Sequence, residues 1–434
     1  MKAVTLGHAS YLIQANSTNL LIDPVFGNFF ENGDSVPFPD RQIQLNKIPK
    51  IDAIFLSHFH DDHFDIESLK VIGIETPIYC PKSAYHILYL KKEGFKNIFT
   101  LSPFTPIKLN SLTITPTPSD SPIHLEYGFI FAEKDLYIWN QVDTVITPSI
   151  LEEVTKKVTS HFHVIFCPYQ LLLEHAAYWP QECLFPAQRY KRLKNITKSF
   201  NTKFLIPSSS GLKSFEEKMN YGLYPIDINV FKSDLELDEC AFKIHCGHPG
   251  EELEIYNTEV TFSESNIVIC KKKEQVAHPF NPKKFKKLIL ENHMAPTTSL
   301  KWRNFLEHSL IKNLKNCHHK MWINLLNANY KVYISILNGN EKFDFIFLSG
   351  KELKLQEIPL SDDWDIRFSY NALDINNFLE SNSNFITFRG FYNDFKKNIS
   401  VLELMGFEPE KVIDGWIGWN PISAHLLEKE YQLD

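Results

Sequence analysis

Between Phe55 and Asp65 the chain reads FLSHFHDDHFD, placing three histidines and three aspartates within eight positions directly behind an apolar run. No other stretch constrains the fold so strongly, because that many ionisable groups in one loop need a partner that neutralises and organises them. Residues two apart on an extended segment point the same way, so His58 and His60 can grip one ion together. As the chain turns toward a helix predicted at DIESL, Asp62 and His63 become available to a second ion or complete the first. Imidazoles combined with a carboxylate suit zinc, iron or manganese. Asp61 reads as solvated, and Asp65 as the cap of the following helix rather than a ligand. A polar loop that merely happens to be rich in histidine does not account for four ligand-type side chains at H-x-H-x-D-H spacing behind a strand.

The surroundings point to a layered α/β domain. AVTLGHASYLIQ, NLLIDPVF, DAIFLSH, PIYCP, NIFTLSP, SLTITPTP, YGFIFAEKDLYIWNQ, HVIFCPYQ and KFLIPSSS read as strands, while DIESLKVIG and SAYHILYLKKEG read as helices. Such mixing sets polar residues at strand ends, where loops can gather them; Asp23 closes one such strand just before Pro24. Residues 186–202 form a basic, partly amphipathic helix, and a β-rich stretch is expected from IPSSSGLKS to about residue 272. The Lys- and Pro-rich KKKEQVAHPFNPKKFKKL then marks a boundary between a domain at 1–272 and a smaller α+β domain at 273–434. Its lysines read as exposed surface. The second domain mixes a helix, SLKWRNFLEHSLIKNL, with strands KVYISIL, KFDFIFL and NFITFRGFY.

Composition narrows the function classes. With 434 residues, 44% of them hydrophobic, and 34 phenylalanines, the chain can supply more than one core. A formal charge of −7 offers no general attraction to nucleic acid. Seven scattered cysteines without C-x-x-C suit a reducing cytoplasm better than a disulfide framework. No window approaches the ~18 apolar residues of a membrane span. The N-terminal run, interrupted by His8, Asn16 and Asn19, reads as strands and not as a leader. SSS lacks the G-x-S-x-G elbow, and neither a P-loop nor G-x-G-x-x-G occurs.

LGHASYLI and NLLIDPVF followed by SHFHDDH resemble the metallo-β-lactamase superfamily, a four-layer αββα sandwich with its metal site at one sheet edge. That resemblance implies His58, His60, Asp62 and His63 as ligands, with His8 and Asp23 close behind them. Asp143, in VDT after the strand LYIWNQ, matches the family's bridging aspartate. For the slot before that strand Asp120, His124 and Glu126 are in range; alternation puts His124 and Glu126 on one side, and His124 or Asp120 is favoured. The family's final histidine is missing: FLIPSSSG places Ser208 there, and His175 in LLLEHAAYWP reads as a core residue. The sequence is also similar to the metallo-β-lactamase-like portion of CMP-N-acetylneuraminic acid hydroxylase, which shares the histidine-free LIPSSSG. The Rieske module of that family requires C-x-H and a later C-x-x-H. CGH and CHH supply only the first, so electrons would come from a separate Rieske or ferredoxin protein.

The expected activity is that of a non-haem iron oxygenase, or hydroxylase, acting on a polar anionic small molecule. It would use one or two transition-metal ions, iron favoured and zinc or manganese possible. The alternative is a hydrolase in which metal-bound water attacks an ester, lactone or phosphodiester while Asp62 or Asp143 orients it. Trp302, Arg303, Trp364, Arg367 and Arg389 are candidates to frame an anionic substrate, although packing or a surface ion pair is the simpler explanation of each.

Overall fold

The computed structural model describes residues 1–28, 35–60, 62–120, 125–169, 187–214 and 228–270, together with five strands between 332 and 395. Contacts divide the chain into two units, the first comprising Met1–Leu172, Phe185–Glu216 and Leu223–Phe280. Its elements begin with β1 (Lys2–Gly7), β2 (Ser10–Ala15), β3 (Thr18–Ile22), β4 (Ser35–Pro37), β5 (Arg41–Ile43) and β6 (Ala53–Phe55). Helix α1 (Ile66–Ile72), β7 (Ile78–Cys80), helix α2 (Ala84–Lys92) and β8 (Ile98–Thr100) follow. Then come β9 (Ile107–Leu109), β10 (Leu112–Pro118), β11 (Tyr127–Glu133), β12 (Leu136–Asn140), helix α3 (Pro148–Lys157) and β13 (Phe162–Pro168). The unit continues through helix α4 (Ala187–Lys198), β14 (Thr202–Ser208), β15 (Leu212–Ser214), helix α5 (Ile228–Leu237), β16 (Lys243–Ile244), β17 (Glu251–Tyr256), β18 (Glu259–Glu264) and β19 (Val268–Cys270).

Two sheets result, one ordered β18-β17-β1-β2-β3-β6-β7-β8 and the other β16-β14-β13-β12-β11-β10-β9. Alternation along each strand sorts side chains between layers. In β2, Tyr11 and Ile13 join Phe55, Phe129, Phe131, Ile138 and Phe166 in the core between the sheets. Leu12 turns to the other side, where Leu21 and Ile54 meet Leu69 of α1 and Leu90 of α2. Behind the second sheet, Trp139 packs its ring on Phe162 and Phe200, and Phe231 of α5 lies against Tyr169. The layers are therefore helix, sheet, sheet, helix: the αββα sandwich expected from the sequence. As expected, the Asp65 carboxylate caps α1, accepting from Ser68 N–H at 3.1 Å.

One expectation is corrected. Residues 228–237 fall in the stretch assigned to strands but form α5, because Ile228, Phe231 and Leu235 recur at helical spacing and are buried together. No helix among the described residues is long and apolar enough to cross a membrane.

In the second unit, β20 (Val332–Asn338), β21 (Glu341–Leu348), β22 (Lys354–Ile358), β23 (Ile366–Asn371) and β24 (Tyr392–Phe395) form one sheet in the order β22-β21-β20-β23-β24. KVYISIL and KFDFIFL are strands as anticipated, with Tyr333, Ile336 and Phe345 buried. The predicted helix SLKWRNFLEHSLIKNL lies outside the described residues, as does NFITFRGFY except for Tyr392, the first residue of β24.

Candidate metal centre

Strand direction brings the loops of the site together. β3 and β6 run parallel, as do β12, β13 and β14, so the carboxyl ends of each set lie at one edge of its sheet. Across that edge Tyr127 N–H donates to Ser57 O at 3.0 Å, tying the start of β11 to the end of β6.

Asp23 organises the first side of the site. Its backbone, at φ 42°, leaves β3 in the left-handed region. Its fully buried carboxylate accepts from Ser57 N–H at 2.7 Å and from Ser57 Oγ–H at 2.6 Å. His63 Nδ1 lies 2.9 Å from the same carboxylate. The Ser57 hydroxyl, its hydrogen committed to Asp23, accepts from His58 Nδ1 at 2.8 Å. Bonded this way, His58 and His63 both hold a proton on Nδ1 and turn Nε2 to the cleft, where a bound cation would take the lone pairs.

What those lone pairs face is more ligand-type atoms. His58 Nε2 is 3.0 Å from His60 Nδ1. His63 Nε2 is 3.1 Å from Asp143 Oδ2, 3.2 Å from His8 Nε2 and 3.7 Å from Asp62 Oδ2. Asp62 Oδ2 in turn lies 3.0 Å from His8 Nε2. Two sets, Asp23 with His58 and His63, and His8 with Asp62 and His63, hold their donor atoms within 4.8 Å of one another. The other oxygen of Asp143, Oδ1, is buried with no hydrogen-bond partner among the described residues.

Electrostatics follow from this crowding. Burial opposes ionisation of Asp62, but the charge of His63 and the hydrogen bond from His8 overcome it and hold the carboxyl well below the usual range. Asp143 is likewise lowered: burial is outweighed by its charge and hydrogen-bond interactions with His63. Burial disfavours protonated His63, yet Asp143 and Asp62 beside it drive its pKa well upward. For His60 burial prevails and the pKa falls. At Asp23 burial also dominates and pushes the carboxyl up, against the hydrogen bonds from His63 and Ser57. A cation in the cleft would take over the role of the proton shared between imidazole and carboxylate here.

The structure gathers His58, His60, Asp62, His63 and Asp143 in one place, with His8 and Asp23 beside them. Asp120 is not among them: it is exposed just past β10, its N–H donating to Val145 O at 2.9 Å. Of the three alternatives for that slot, the buried one among the described residues is Glu126, just before β11, which accepts from Ser119 Oγ at 2.9 Å. Burial, then the nearby Asp143 charge, pushes the Glu126 carboxyl up to about 8. Sequence reasoning ranked it below its neighbours, although the alternation that carries β11 inward was the available signal. Ser57 was missed altogether; its one mark is a hydroxyl placed directly before His58. His124, Asp61, His175, Trp302, Arg303, Trp364 and Arg389 lie outside the described residues, and Arg367 falls on β23 of the second unit. Ser208 ends β14, buried, where the resemblance expects a histidine.

Residues 18–176 match the family model of the beta-lactamase superfamily domain. Over 160 residues the chain is 34% identical to a putative Rieske 2Fe-2S iron-sulfur protein of Mycobacterium tuberculosis, covering 33% of this chain and 30% of that protein. Over 142 residues it is 25% identical to a metal-dependent hydrolase of Caldivirga maquilingensis, covering 32% and 58% respectively. The chain thus spans less than two thirds of the length of either relative. Among solved structures, CmlA, a diiron beta-hydroxylase from Streptomyces venezuelae, aligns with 61% of this chain and 54% of its own at 14% identity and a TM-score of 0.42.

Proposed function

We propose that the chain is a metal-dependent enzyme with the metallo-β-lactamase fold, and that it acts as a non-haem iron oxygenase on a polar, anionic small molecule. The observation that carries the reading is the donor set itself: imidazoles of His58, His60 and His63 converge with the carboxylates of Asp62 and Asp143, and Asp143 Oδ1 is buried without a partner among the described residues. A cation fits there, since it would satisfy that oxygen and the inward lone pairs together. With Ser208 at the end of β14 and Glu126 buried near Asp143, the second half of the site is richer in carboxylate than in imidazole. Histidine with carboxylate ligation suits iron or manganese as well as zinc.

Bound iron would supply dioxygen activation. The protein's own part is to hold that ion through His58, His60, Asp62, His63 and Asp143, to fix ring orientation through Asp23 and Ser57, and to keep a proton on Glu126 near neutral pH. The relative named as a Rieske protein supports a pairing of this fold with iron–sulfur electron transfer. The reading includes electrons from a separate Rieske or ferredoxin donor and a cytoplasmic location, which the scattered cysteines without C-x-x-C favour. Similarity to CMP-N-acetylneuraminic acid hydroxylase belongs to the same proposal.

The relative named as a metal-dependent hydrolase favours a second reading, in which Asp62 or Asp143 orients a water for attack on an ester, lactone or phosphodiester. Metal analysis of protein from iron-supplemented cells separates the two. Iron with an oxygen-sensitive spectrum is the expected result; two tightly held zinc ions would favour hydrolysis, and the absence of any metal would overturn both. Replacing His58 and His60 together by alanine should abolish metal uptake while leaving the fold intact.

A further inference from the structure

We infer that His8 is a positioning residue for this centre: it holds the Asp62 carboxylate through Nε2–H, with its tautomer set by the backbone N–H of Gly211. The inference rests on the metal-binding reading above and assigns a part to two residues that reading leaves without one.

Two tight turns meet at this point. The first joins β1 to β2, with Gly7 at φ 112° and His8 at φ 50°; the second follows β14, with Ser209 at φ 56°. Gly211, in the second turn, donates its N–H to His8 Nδ1 at 3.1 Å. The approach is too close for any side chain, since a Cβ at position 211 would lie 2.6 Å from His8 N and 2.7 Å from His8 Cα. The second turn is fastened from behind as well: Phe38 N–H donates to Gly211 O at 2.7 Å, and β15 pairs with β4 from Leu212 opposite Pro37.

An imidazole that accepts an N–H at Nδ1 carries its own proton on Nε2. His8 Nε2 lies 3.0 Å from Asp62 Oδ2, so that proton is donated to the carboxylate. A nitrogen committed this way has no lone pair for a cation. His63 is wired in the opposite sense, its Nδ1 proton on Asp23 and its Nε2 lone pair turned inward. Where the resemblance expects a metal-binding histidine at the end of β14, the turn there acts instead through Gly211 on His8, and through His8 on Asp62.

The test uses the full chain, first free of metal. Ring ¹⁵N spectra, with the His8 signals identified by their loss in His8→Phe, should show an unprotonated Nδ1 and a protonated Nε2. Titration with Co²⁺ should then give His8→Phe the wild-type number of ions and the wild-type ligand-field spectrum, at an affinity reduced roughly 10- to 100-fold. His8→Gln, whose amide offers a donor toward Asp62 and an acceptor toward Gly211, should recover most of that loss. A protonated Nδ1, a missing Co²⁺ equivalent in His8→Phe, or wild-type affinity in that variant would each overturn the assignment. Failure of the wild-type chain to bind Co²⁺ would remove the metal reading and the positioning role together, while the ring spectrum would still decide the tautomer.

Discussion

Asp23→Asn is the substitution that most directly probes how the site is built. The carboxylate is fully buried and its oxygens face three donors: Ser57 N–H, Ser57 Oγ–H and His63 Nδ1–H. An asparagine has nearly the same shape, but its amide nitrogen must face at least one of these donors. Oriented toward Ser57 N–H it loses one bond; oriented the other way it opposes both Ser57 Oγ–H and His63 Nδ1–H. At about 1.5–3 kcal/mol per hydrogen bond to a charged acceptor, losing one or both costs roughly 1.5–6 kcal/mol. Burial already pushes the Asp23 carboxyl upward, so the neutral amide recovers part of a desolvation cost and the lower end applies, about 2 kcal/mol. For a domain of this size that is a fall in Tm of roughly 4–8 °C. The second effect is on metal. In the second orientation His63 keeps a bond to the amide only as the tautomer that carries its proton on Nε2, which blocks the lone pair aimed at the cleft. Co²⁺ affinity should drop about 10- to 100-fold. Thermal unfolding with chelator present measures the first effect, and Co²⁺ titration the second. A variant with wild-type Tm and wild-type Co²⁺ affinity would refute the idea that Asp23 orients His63.

Two further outcomes follow from the packing. His86 is buried with its ring stacked on Phe59 at 3.9 Å, and burial, then His60, holds its pKa at about 3 against an ordinary 6.5. The unfolded chain takes up a proton that the folded chain refuses, so stability should fall as pH drops from 6.5 toward about 3 and level off below; denaturant midpoints should show His86→Leu escaping roughly 3–5 kcal/mol of that decline, and an identical acid limb would count against it. Phe131→Ala, at a fully buried position between the sheets, should cost about 3–5 kcal/mol in urea unfolding, and a loss under 1 kcal/mol would show that the inter-sheet core is not where the stability lies.

What the sequence disclosed and what it hid divide along physical lines. The H-x-H-x-D-H run was legible because its spacing acts locally: a strand end, a turn and a helix cap lie within eleven residues. The sandwich was legible because alternation in runs such as YGFIFAE directly separates Phe129 and Phe131 from Ile130. Helix α5 escaped because Ile228, Phe231 and Leu235 are only three apolar contacts in a short segment, too few to stand out against neighbouring strands. The preference for Asp120 over Glu126 failed to anticipate burial for a different reason. Both carboxylates lie between β10 and β11, and only the register of that hairpin, Pro118 opposite Tyr127, makes Glu126 the buried one and leaves Asp120 exposed. Register of that kind is a property of paired strands, not of either one alone.

Backbone strain gathers where strands end beside the candidate site. Several non-glycine residues adopt positive φ in ordinary turns, among them Asn16, Asn110 and Asn257, where asparagine tolerates the left-handed region. His8, Asp23, Val142 and Ser209 are different: each follows the end of a strand that leads into the site. Val142, at φ 52°, is the sharpest case, because a branched Cβ makes that region costly. Strain of this type costs about 1–3 kcal/mol per residue and persists only where the surroundings overdetermine it. Here the surroundings do so: Val142 is fully buried, and its N–H donates to Asn140 Oδ1 at 3.0 Å. An extended exit from β12 would avoid the strain, but it would also carry the next residue onward along the strand direction. The left-handed step turns the chain immediately, and the residue it delivers is Asp143, with Oδ2 set 3.1 Å from His63 Nε2.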